Sequence, residues 1–182
     1  MNKAIFLDRD GTINKDKSYI YRISDFELLD GVVEGLIKLK EAGFLLIVIT
    51  NQSGIARGYF SEEEYSILNM HMKSVLEKAG VHIDDVLYCP HHPQGIVEKY
   101  AIDCECRKPK LGLYNEAIKK WNIDINKSYA IGDKIRDCAI CKDTNCKGFL
   151  IDLTKNRENE NIEIVDSVLS AAKRILEDNC SE

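Results

Sequence analysis

The amino-acid sequence predicts an α/β fold, in which a Rossmann-like parallel sheet carries helices on both faces. Short buried apolar runs alternate along the chain with amphipathic segments, an order typical of strands joined by helical crossovers. The run at 44–49 is continuously apolar and contains several β-branched residues, as expected of a strand covered on both sides. In such folds ligands bind beyond the carboxyl ends of the strands, so polar residues at those ends are candidates for function.

Turn and capping signals delimit the elements. The first apolar run, 3–7, ends at a carboxylate, and the helix after it ends before Gly43, which readily adopts a left-handed conformation. Ser61 begins the second helix with Glu64 three residues later, the pattern of a capping box, and Gly80 follows its end. The predicted strands are 3–7, 44–49, 86–88, 129–131 and 149–151, and the predicted helices are 31–42, 61–79, 112–121 and 165–177, with a polar loop at 154–161.

Length and charge limit the classes of function. The 182 residues suffice for a single domain at 1–182, and 45% hydrophobic with 30% charged residues is ordinary for a globular protein. A formal net charge of -5 disfavours non-specific binding to nucleic acid. The sequence shows no signal-peptide pattern and no run of about 18 apolar residues. We therefore expect a cytoplasmic location, with no membrane and no nucleic acid as partner.

Two carboxylates directly follow the first predicted strand. Asp8 and Asp10 occupy alternate positions of an extended segment, which directs both side chains to one side, and Gly11 permits a sharp turn after them. Such a pair can hold a divalent cation through oxygen ligands. It can also divide the work of phosphoryl transfer, one carboxylate attacking phosphorus while the other handles the proton of the leaving group. For the pair alone, a polar turn that ends a strand is the alternative.

Further polar clusters follow the later strands. Hydroxyl and amide groups can donate to phosphoryl oxygens, a basic pair can neutralise them, and additional carboxylates can complete a metal site. Taken singly, each cluster could instead be a turn, a helix cap or a solvated basic pair. The residues are Thr50, Asn51, Gln52 and Ser53 after the second strand, Arg107 and Lys108 in the irregular stretch after the third, and Asp133, Lys134 and Asp137 after the fourth.

A group of cysteines and histidines lies between the third strand and that basic pair. Seven cysteines in a chain without a secretion signal are typical of metal ligands or reduced thiols. Cys89 and His91 precede Cys104 and Cys106, and three thiolates with one imidazole suit a four-coordinate structural zinc ion. The spacings are tighter than those of common zinc fingers, so buried reduced cysteines beside a turn histidine remain the alternative. His92 also remains open as the ligand in place of His91.

The other cysteines are predicted to have no metal. Cys138, Cys141 and Cys146 are expected to pack in the core as small hydrophobic side chains rather than to form a second metal site. Cys180, near the C-terminus, is expected to be a free thiol.

Taken in order, the motifs resemble those of the haloacid dehalogenase superfamily. The matching residues are Asp8-x-Asp10-Gly11-Thr12, Thr50, Lys108 and Gly132-Asp133-x3-Asp137, which span most of the chain. More narrowly, the segments 50–58, 89–95 and 106–109 are similar to those of the D-glycero-D-manno-heptose 1,7-bisphosphate phosphatases, a group related to the histidinol-phosphate phosphatases. The short intervals between the motifs imply the haloacid dehalogenase fold without a large cap domain.

The resemblance implies a role for each matching residue. Asp8 would be the nucleophile that becomes an aspartyl phosphate, and Asp10 would protonate the leaving oxygen and then activate water. The resemblance also favours His91 over His92 as a zinc ligand. The further catalytic residues that it implies are Thr50, Arg107 and Lys108, and the implied Mg²⁺ ligands are Asp8, Asp133 and the backbone carbonyl of Asp10. The implied Zn²⁺ ligands, in a loop at 89–106, are Cys89, His91, Cys104 and Cys106. The implied substrate contacts are Asp16, Lys17, Ser18, Tyr19, Asn51, Gln52, Ser53, Arg107 and Lys134.

The resemblance also implies a reaction. The protein would remove the C7 phosphate of D-glycero-D-manno-heptose 1,7-bisphosphate in the synthesis of nucleotide-activated heptose and lipopolysaccharide precursors. Apart from the resemblance, we expect a monomer. A histidinol-phosphate phosphatase, or a phosphatase of another small phosphomonoester, is the first alternative. A non-catalytic zinc-stabilised binding module is the second, and the presence of every catalytic position disfavours it.

Overall fold

One sheet of six parallel strands forms the centre of the protein. The computed structural model describes residues 1–152 and 161–179. The strands are β1 (Ala4–Leu7), β2 (Leu45–Asn51), β3 (Asp85–Cys89), β4 (Tyr129–Gly132), β5 (Lys147–Ile151) and β6 (Ile162–Val165), in the order β3-β2-β1-β4-β5-β6. The α-helices are α1 (Val32–Glu41), α2 (Glu62–Lys78), α3 (Gly112–Trp121) and α4 (Val168–Asn179), and 3-10 segments lie at Ile23–Asp25, Glu98–Tyr100, Ile125–Lys127 and Ile135–Lys142.

The strand order places a functional crevice between β1 and β4. The chain proceeds from β1 outward to β2 and β3, and then returns to the other side of β1 with β4. The register pairs Phe6 with Ala130 and Leu7 with Ile131, so both strands end at the same edge of the sheet. This is the topological switch point, at which open parallel sheets bind ligands. Asp8 follows β1 and Asp133 follows β4, which brings the two carboxylates to this crevice.

Helices cover both faces of the sheet, as predicted. On one face Leu36 of α1, Leu76 of α2 and Ala172 of α4 are fully buried in a common apolar cluster. On the other face the ring of Tyr114 in α3 packs edge-on against Phe6 of β1, with 5.3 Å between the ring centroids. Burial of both faces explains the continuously apolar strands.

The predicted capping box of α2 is confirmed. The Ser61 hydroxyl accepts from the backbone N–H of Glu64 at 3.1 Å, and the Glu64 carboxylate accepts from the backbone N–H of Ser61 at 2.8 Å. Gly80 follows α2 with a φ of 87°, in the left-handed region that favours glycine after a helix. The capped start of α2 fixes where the loop between β2 and this helix ends.

The prediction of a closing helix at 165–177 is wrong at its start. Strand β6 comes first and pairs with β5, Ile164 lying opposite Leu150, and α4 begins only at Val168. Four residues of mixed polarity carry too little pattern to be recognised without this pairing partner. The loop predicted at 154–161 lies outside the described residues except for Asn161, and Cys180 also lies outside them. Within the described ranges, no helix is both long and apolar enough to cross a membrane.

Candidate active site

A cavity of about 380 Å³ opens at the carboxyl ends of β1, β2 and β4. It brings together every catalytic residue predicted from the sequence and all predicted substrate contacts but one. The exception is Lys17, whose ammonium lies 3.3 Å from the Glu27 carboxylate. The lining residues are Asp8, Asp10, Asp16, Ser18, Tyr19, Thr50, Asn51, Gln52, Ser53, Gly54, Arg57, Arg107, Lys108, Asp133, Lys134 and Arg136.

A buried lysine holds two carboxylates at the base of the cavity. The Lys108 side chain is 1% exposed, and its Nζ lies 2.8 Å from Asp8 Oδ1 and 2.7 Å from Asp137 Oδ1. Nζ also donates to the backbone carbonyl of Ile49. Burial alone would lower the pKa of Lys108, but the charges of Asp8 and Asp137 outweigh it and raise this pKa. The lysine therefore stays charged and fixes the orientation of Asp8.

The carboxylates carry more negative charge than Lys108 neutralises. Burial, followed by the charge of Asp137, raises the pKa of Asp8 to about 7. Burial also raises the pKa of Asp133. Oxygen atoms of Asp8, Asp133 and Asp137 lie within 4.8 Å of one another. Such a set of oxygen donors with surplus negative charge suits a hard divalent cation.

Two glycines allow the carboxylates to approach the strand ends. A Cβ on Gly11, which has a φ of 86°, would lie 2.5 Å from Asp133 Oδ2. A Cβ on Gly132 would lie 2.2 Å from the Cβ of Asp137. Any side chain at either position would push a candidate metal ligand or the partner of Lys108 out of place.

Asp10 points into a separate network, which sequence reasoning did not predict. Its carboxylate accepts from Arg9 Nη2 at 2.9 Å, from Asn14 Nδ2 at 3.0 Å and from Gln52 Nε2 at 3.0 Å. The Arg9 side chain is 1% exposed, and its Nη2 also donates to Gln52 Oε1 at 3.2 Å. The Asp10 side chain is thus outside the group of three carboxylates. The only sequence signal for Arg9 was its position between Asp8 and Asp10.

Two predicted substrate contacts also organise predicted catalytic residues. Gln52 Nε2 donates to Thr50 Oγ1 at 2.9 Å, which orients that hydroxyl. The Asn51 side chain accepts from the backbone N–H of Lys108 at 3.0 Å and donates to its carbonyl at 3.1 Å. The Asn51 amide thus fastens the end of β2 to the segment that carries the buried lysine. Whether Asn51 and Gln52 also contact a substrate stays a prediction.

The predicted cysteine–histidine set is assembled beside the active site. The Cys89 and Cys104 Sγ atoms lie 3.5 Å apart, and those of Cys104 and Cys106 lie 3.2 Å apart. His91 Nδ1 lies 3.7 Å from Cys89 Sγ and 3.3 Å from Cys106 Sγ. His92 lies elsewhere, with its Nε2 3.0 Å from Arg57 Nη2. The structure therefore gathers three thiols and the imidazole of His91, a donor set that suits zinc.

The pKa of one thiol in this set is already lowered. Burial acts to raise the pKa of Cys104, but hydrogen bonds from Cys106 and Cys89 outweigh it and lower that pKa. Burial raises the pKa of Cys89. A metal that binds thiolates would find one member of the set more easily deprotonated than an ordinary cysteine.

The cysteine–histidine loop is joined directly to the basic pair. Arg107 Nη1 donates to the backbone carbonyl of His91 at 3.2 Å, and Lys108 is the next residue. Arg107 is half-buried, and burial lowers its pKa. Two arginines that sequence reasoning missed, Arg57 and Arg136, also line the cavity. The cavity rim is therefore more basic than the sequence motifs alone indicated.

The second group of cysteines packs in the core, as predicted. Cys138, Cys141 and Cys146 are at most 1% exposed and belong to the apolar cluster under α3. A Cβ on Gly148 of β5 would lie 3.0 Å from Cys138 Sγ and 3.2 Å from Cys141 Sγ, so these thiols fill the space over that glycine.

Comparison with known proteins places the chain in a family. The family described as polynucleotide kinase 3 phosphatase matches residues 3–168. A protein of Pasteurella multocida named D-glycero-beta-D-manno-heptose-1,7-bisphosphate 7-phosphatase is 43% identical over 180 residues, covering 96% of this chain and 97% of that protein.

Solved structures agree on the fold. A structure described as a putative HAD-like phosphatase from Mesorhizobium loti matches with a TM-score of 0.86 and 33% identity, covering 96% of this chain and 87% of that one. A D,D-heptose 1,7-bisphosphate phosphatase from B. bronchiseptica, complexed with magnesium and phosphate, matches with a TM-score of 0.84 and 27% identity. The match covers 97% of this chain and 99% of that one. The chain therefore belongs to the polynucleotide kinase 3 phosphatase family, and it is a phosphatase with the fold of the haloacid dehalogenase-like enzymes.

Proposed function

We propose that the protein removes the C7 phosphate of D-glycero-D-manno-heptose 1,7-bisphosphate, with Mg²⁺ and through an aspartyl phosphate on Asp8. The observation that carries the proposal is the fixed position of Asp8 beside the buried, charged Lys108 at the strand ends. Phosphoryl transfer needs mainly positioning and neutralisation of charge, and this pair supplies both. Relatives named for the heptose reaction support the choice of substrate.

We assign the steps of the reaction to two carboxylates. Asp8 attacks phosphorus, and the bond from phosphorus to the sugar oxygen breaks while Asp10 gives that oxygen a proton. Asp10 then takes a proton from a water molecule that attacks phosphorus, which releases inorganic phosphate and restores Asp8. Lys108 and the Thr50 hydroxyl stabilise the phosphoryl oxygens. Arg9 and Gln52 hold Asp10 in position for both proton transfers.

The donor set fits magnesium. We assign Asp8, Asp133 and the backbone carbonyl of Asp10 as its protein ligands. Asp137 is close enough to contribute, but its oxygens are taken by Lys108 Nζ at 2.7 Å and by the backbone N–H of Lys134 at 2.9 Å. We therefore assign Asp137 to the positioning of the lysine. When bound, magnesium supplies positive charge that favours ionised Asp8 and neutralises the phosphoryl group.

The thiol and imidazole set fits a structural zinc ion. Cys89, His91, Cys104 and Cys106 supply four donors at mutual distances of 3.2 to 3.7 Å along the contacts described. Among the described residues, no further His, Cys, Asp or Glu side chain joins this set, which suits a closed four-coordinate site. Since Arg107 follows Cys106 directly, the ion would hold the basic pair in place over the cavity.

The basic rim favours a sugar bisphosphate over histidinol phosphate. Arg57, Arg107 and Arg136 line the cavity in addition to Lys108, which already serves the reacting phosphate. A second phosphate on the substrate would meet these guanidinium groups, whereas the ammonium group of histidinol phosphate would be repelled. Asp16, Ser18, Tyr19, Ser53 and Lys134 are the further side chains that we assign to the substrate.

We also propose a monomer in the cytoplasm, without a nucleic-acid or membrane partner. The net charge of -5 supports the absence of those two partners, because it disfavours contact with phosphate backbones and anionic lipids outside the basic cavity.

A substrate panel tests the proposal. We expect kcat/KM with Mg²⁺ to be highest for one anomer of D-glycero-D-manno-heptose 1,7-bisphosphate, compared with the other anomer, histidinol phosphate and acetyl phosphate. Phosphorus NMR of the product should show that the phosphate on C1 is retained. A higher kcat/KM for histidinol phosphate, or loss of the C1 phosphate first, would contradict the proposed function.

A further inference from the structure

Two exposed tyrosines meet at the mouth of the cavity. The ring centroids of Tyr19 and Tyr59 are 4.8 Å apart and the ring planes are inclined at 67°, an edge-on contact. Tyr19 is 44% exposed and Tyr59 is 53% exposed. Tyr19 lines the cavity from the flap, the segment 16–19 that follows β1, whereas Tyr59 lies in the loop after β2. The contact therefore connects two sides of the opening.

The backbone of the flap is in an unfavourable conformation. Ser18 and Tyr19 have φ values of 61° and 54°, in the left-handed region that residues with side chains seldom occupy. The backbone N–H of Ser18 donates to Asp16 Oδ1 at 2.9 Å, which supports the turn locally. Two successive residues of this kind persist where surrounding contacts stabilise them. The ring contact between Tyr19 and Tyr59 is one of these surrounding contacts, because Tyr59 lies outside the flap.

A second aromatic contact anchors the segment just beyond the flap. Tyr21 stacks on Phe60, with 5.6 Å between centroids and 17° between planes. Phe60 is only 5% exposed, and a Cβ on Gly54 would lie 2.1 Å from its ring. This pair is part of the packed interior, whereas the Tyr19–Tyr59 pair is at the surface. The flap can therefore detach at its tip while its base stays in place.

We propose that Tyr59 is a positioning residue that holds Tyr19, and with it the flap, against a bound phosphosugar. The inference rests on the proposed function, because only a substrate that extends from Asp8 to the cavity mouth would reach the flap. A small phosphate ester would react at the base of the cavity without touching Tyr19. Tyr59 thus contributes to the preference for an extended substrate, and it contributes to binding rather than to the chemical steps.

Kinetics of two variants test this role. Tyr59→Ala should raise KM for D-glycero-D-manno-heptose 1,7-bisphosphate by about three- to tenfold, the effect of losing one aromatic pair, with kcat little changed. KM and kcat for acetyl phosphate should stay at wild-type values. Tyr59→Phe should retain the wild-type KM, because the edge-on contact does not need the hydroxyl. Met70→Ala, which removes another exposed apolar side chain outside the cavity, is the control.

Three kinetic results would overturn the proposal. These results are an unchanged KM for the sugar bisphosphate in Tyr59→Ala, an equal rise in both KM values in that variant, and a Tyr59→Phe variant as defective as Tyr59→Ala. An equal rise in both KM values would show a general structural effect, and a defective Tyr59→Phe would show that the hydroxyl acts rather than the ring.

Limited proteolysis tests the same contact without a substrate. The Lys17 side chain is 44% exposed, so trypsin can cleave after it once the flap leaves its position. Cleavage there should be about three- to tenfold faster in Tyr59→Ala and unchanged in Tyr59→Phe, as followed by intact mass. An unchanged rate in Tyr59→Ala would overturn the proposal. Should the wild-type enzyme not act on the heptose bisphosphate, the proposed function would fail, and this measurement would still decide whether Tyr59 holds the flap.

Discussion

The two candidate metal centres are held together in different ways. In the carboxylate centre, Asp8 and Asp133 follow strands of the sheet, and Lys108 already supplies a positive charge between Asp8 and Asp137. In the cysteine–histidine centre, Cys89 ends β3, but the other three donors lie in the loop at 89–106, where they contact one another and Cys89. In the first centre a cation of the chain itself therefore bridges two of the carboxylates. We infer that magnesium serves chemistry, whereas zinc would serve structure.

Removal of the buried cation should break the carboxylate centre. Lys108→Met would leave Asp8 and Asp137 buried without their partner, so kcat should fall about 10²–10³-fold. The free energy of unfolding should fall by about 3–5 kcal/mol. Phosphate release and urea unfolding measure the two effects.

Lys110→Met is the matched control for this variant. Lys110 is a nearby lysine whose ion pairs with Asp103 and Glu105 lie at the surface, where such pairs contribute little. It should keep the wild-type kcat. A Lys108→Met variant with a kcat within threefold of that control would show that the buried lysine does not stabilise the transition state.

Loss of the thiolates should disorder the loop without disturbing the sheet. Cys104→Ser combined with Cys106→Ser should contain no zinc, compared with about one ion per wild-type chain, and its Tm should fall by about 5–15 °C. Backbone amides such as that of His92, which donates to the Tyr100 carbonyl at 3.1 Å, should exchange faster with deuterium. Removal of magnesium from the wild type should leave this exchange unchanged. Equal exchange in the double variant, or zinc-free wild-type protein, would contradict the structural role of zinc.

Sequence patterns predicted the parts of both centres that depend on local order. Asp8 and Asp133 could be recognised because each follows a continuously apolar strand, and the cysteines because of their grouping. The hydrogen bonds that orient Asp10 could not be predicted, since Gln52 lies 42 residues further along the chain. The same holds for the side chain of Asn51, which binds the backbone of Lys108 across 57 residues. Such contacts depend on how strands are placed side by side.

The pH dependence of magnesium binding should distinguish the centres further. Because burial and the charge of Asp137 raise the pKa of Asp8 to about 7, the metal-free fold favours the protonated acid. The contribution of Asp8 to folding stability is full below the ordinary aspartate pKa of 3.8 and is lost as the pH rises through about 7. Magnesium needs the ionised form, so its affinity should rise about tenfold per pH unit below pH 7 and then level off.

Calorimetric titration with Mg²⁺ from about pH 5.5 to about pH 8.5 checks this slope. The control is Asp8→Asn, whose weaker affinity should vary less over the same range. An affinity in the wild type that does not change with pH would show that Asp8 is already ionised in the metal-free protein.

A smaller effect on the free energy of unfolding is expected where the cysteine–histidine loop meets α2. The Glu62 carboxylate accepts from the Tyr88 hydroxyl at 2.8 Å and from the Tyr100 hydroxyl, and the latter bond is the main cause of its lowered pKa. Glu62→Gln should cost about 1 kcal/mol of unfolding free energy and leave zinc content and kcat unchanged. Glu63→Gln, at an exposed neighbouring position, should have no measurable effect. Loss of zinc in Glu62→Gln would show that α2 helps to build the metal site.

The central claim, that Asp8 is the nucleophile of the reaction, is tested most directly by Asp8→Asn. With Mg²⁺ and D-glycero-D-manno-heptose 1,7-bisphosphate, this variant should fold as the wild type does by circular dichroism and release no phosphate above the uncatalysed background. Its rate should fall by at least about 10⁴-fold, because the proposed covalent step would then lack its nucleophile. Phosphate release by a folded Asp8→Asn variant at a rate near that of the wild type would contradict the account.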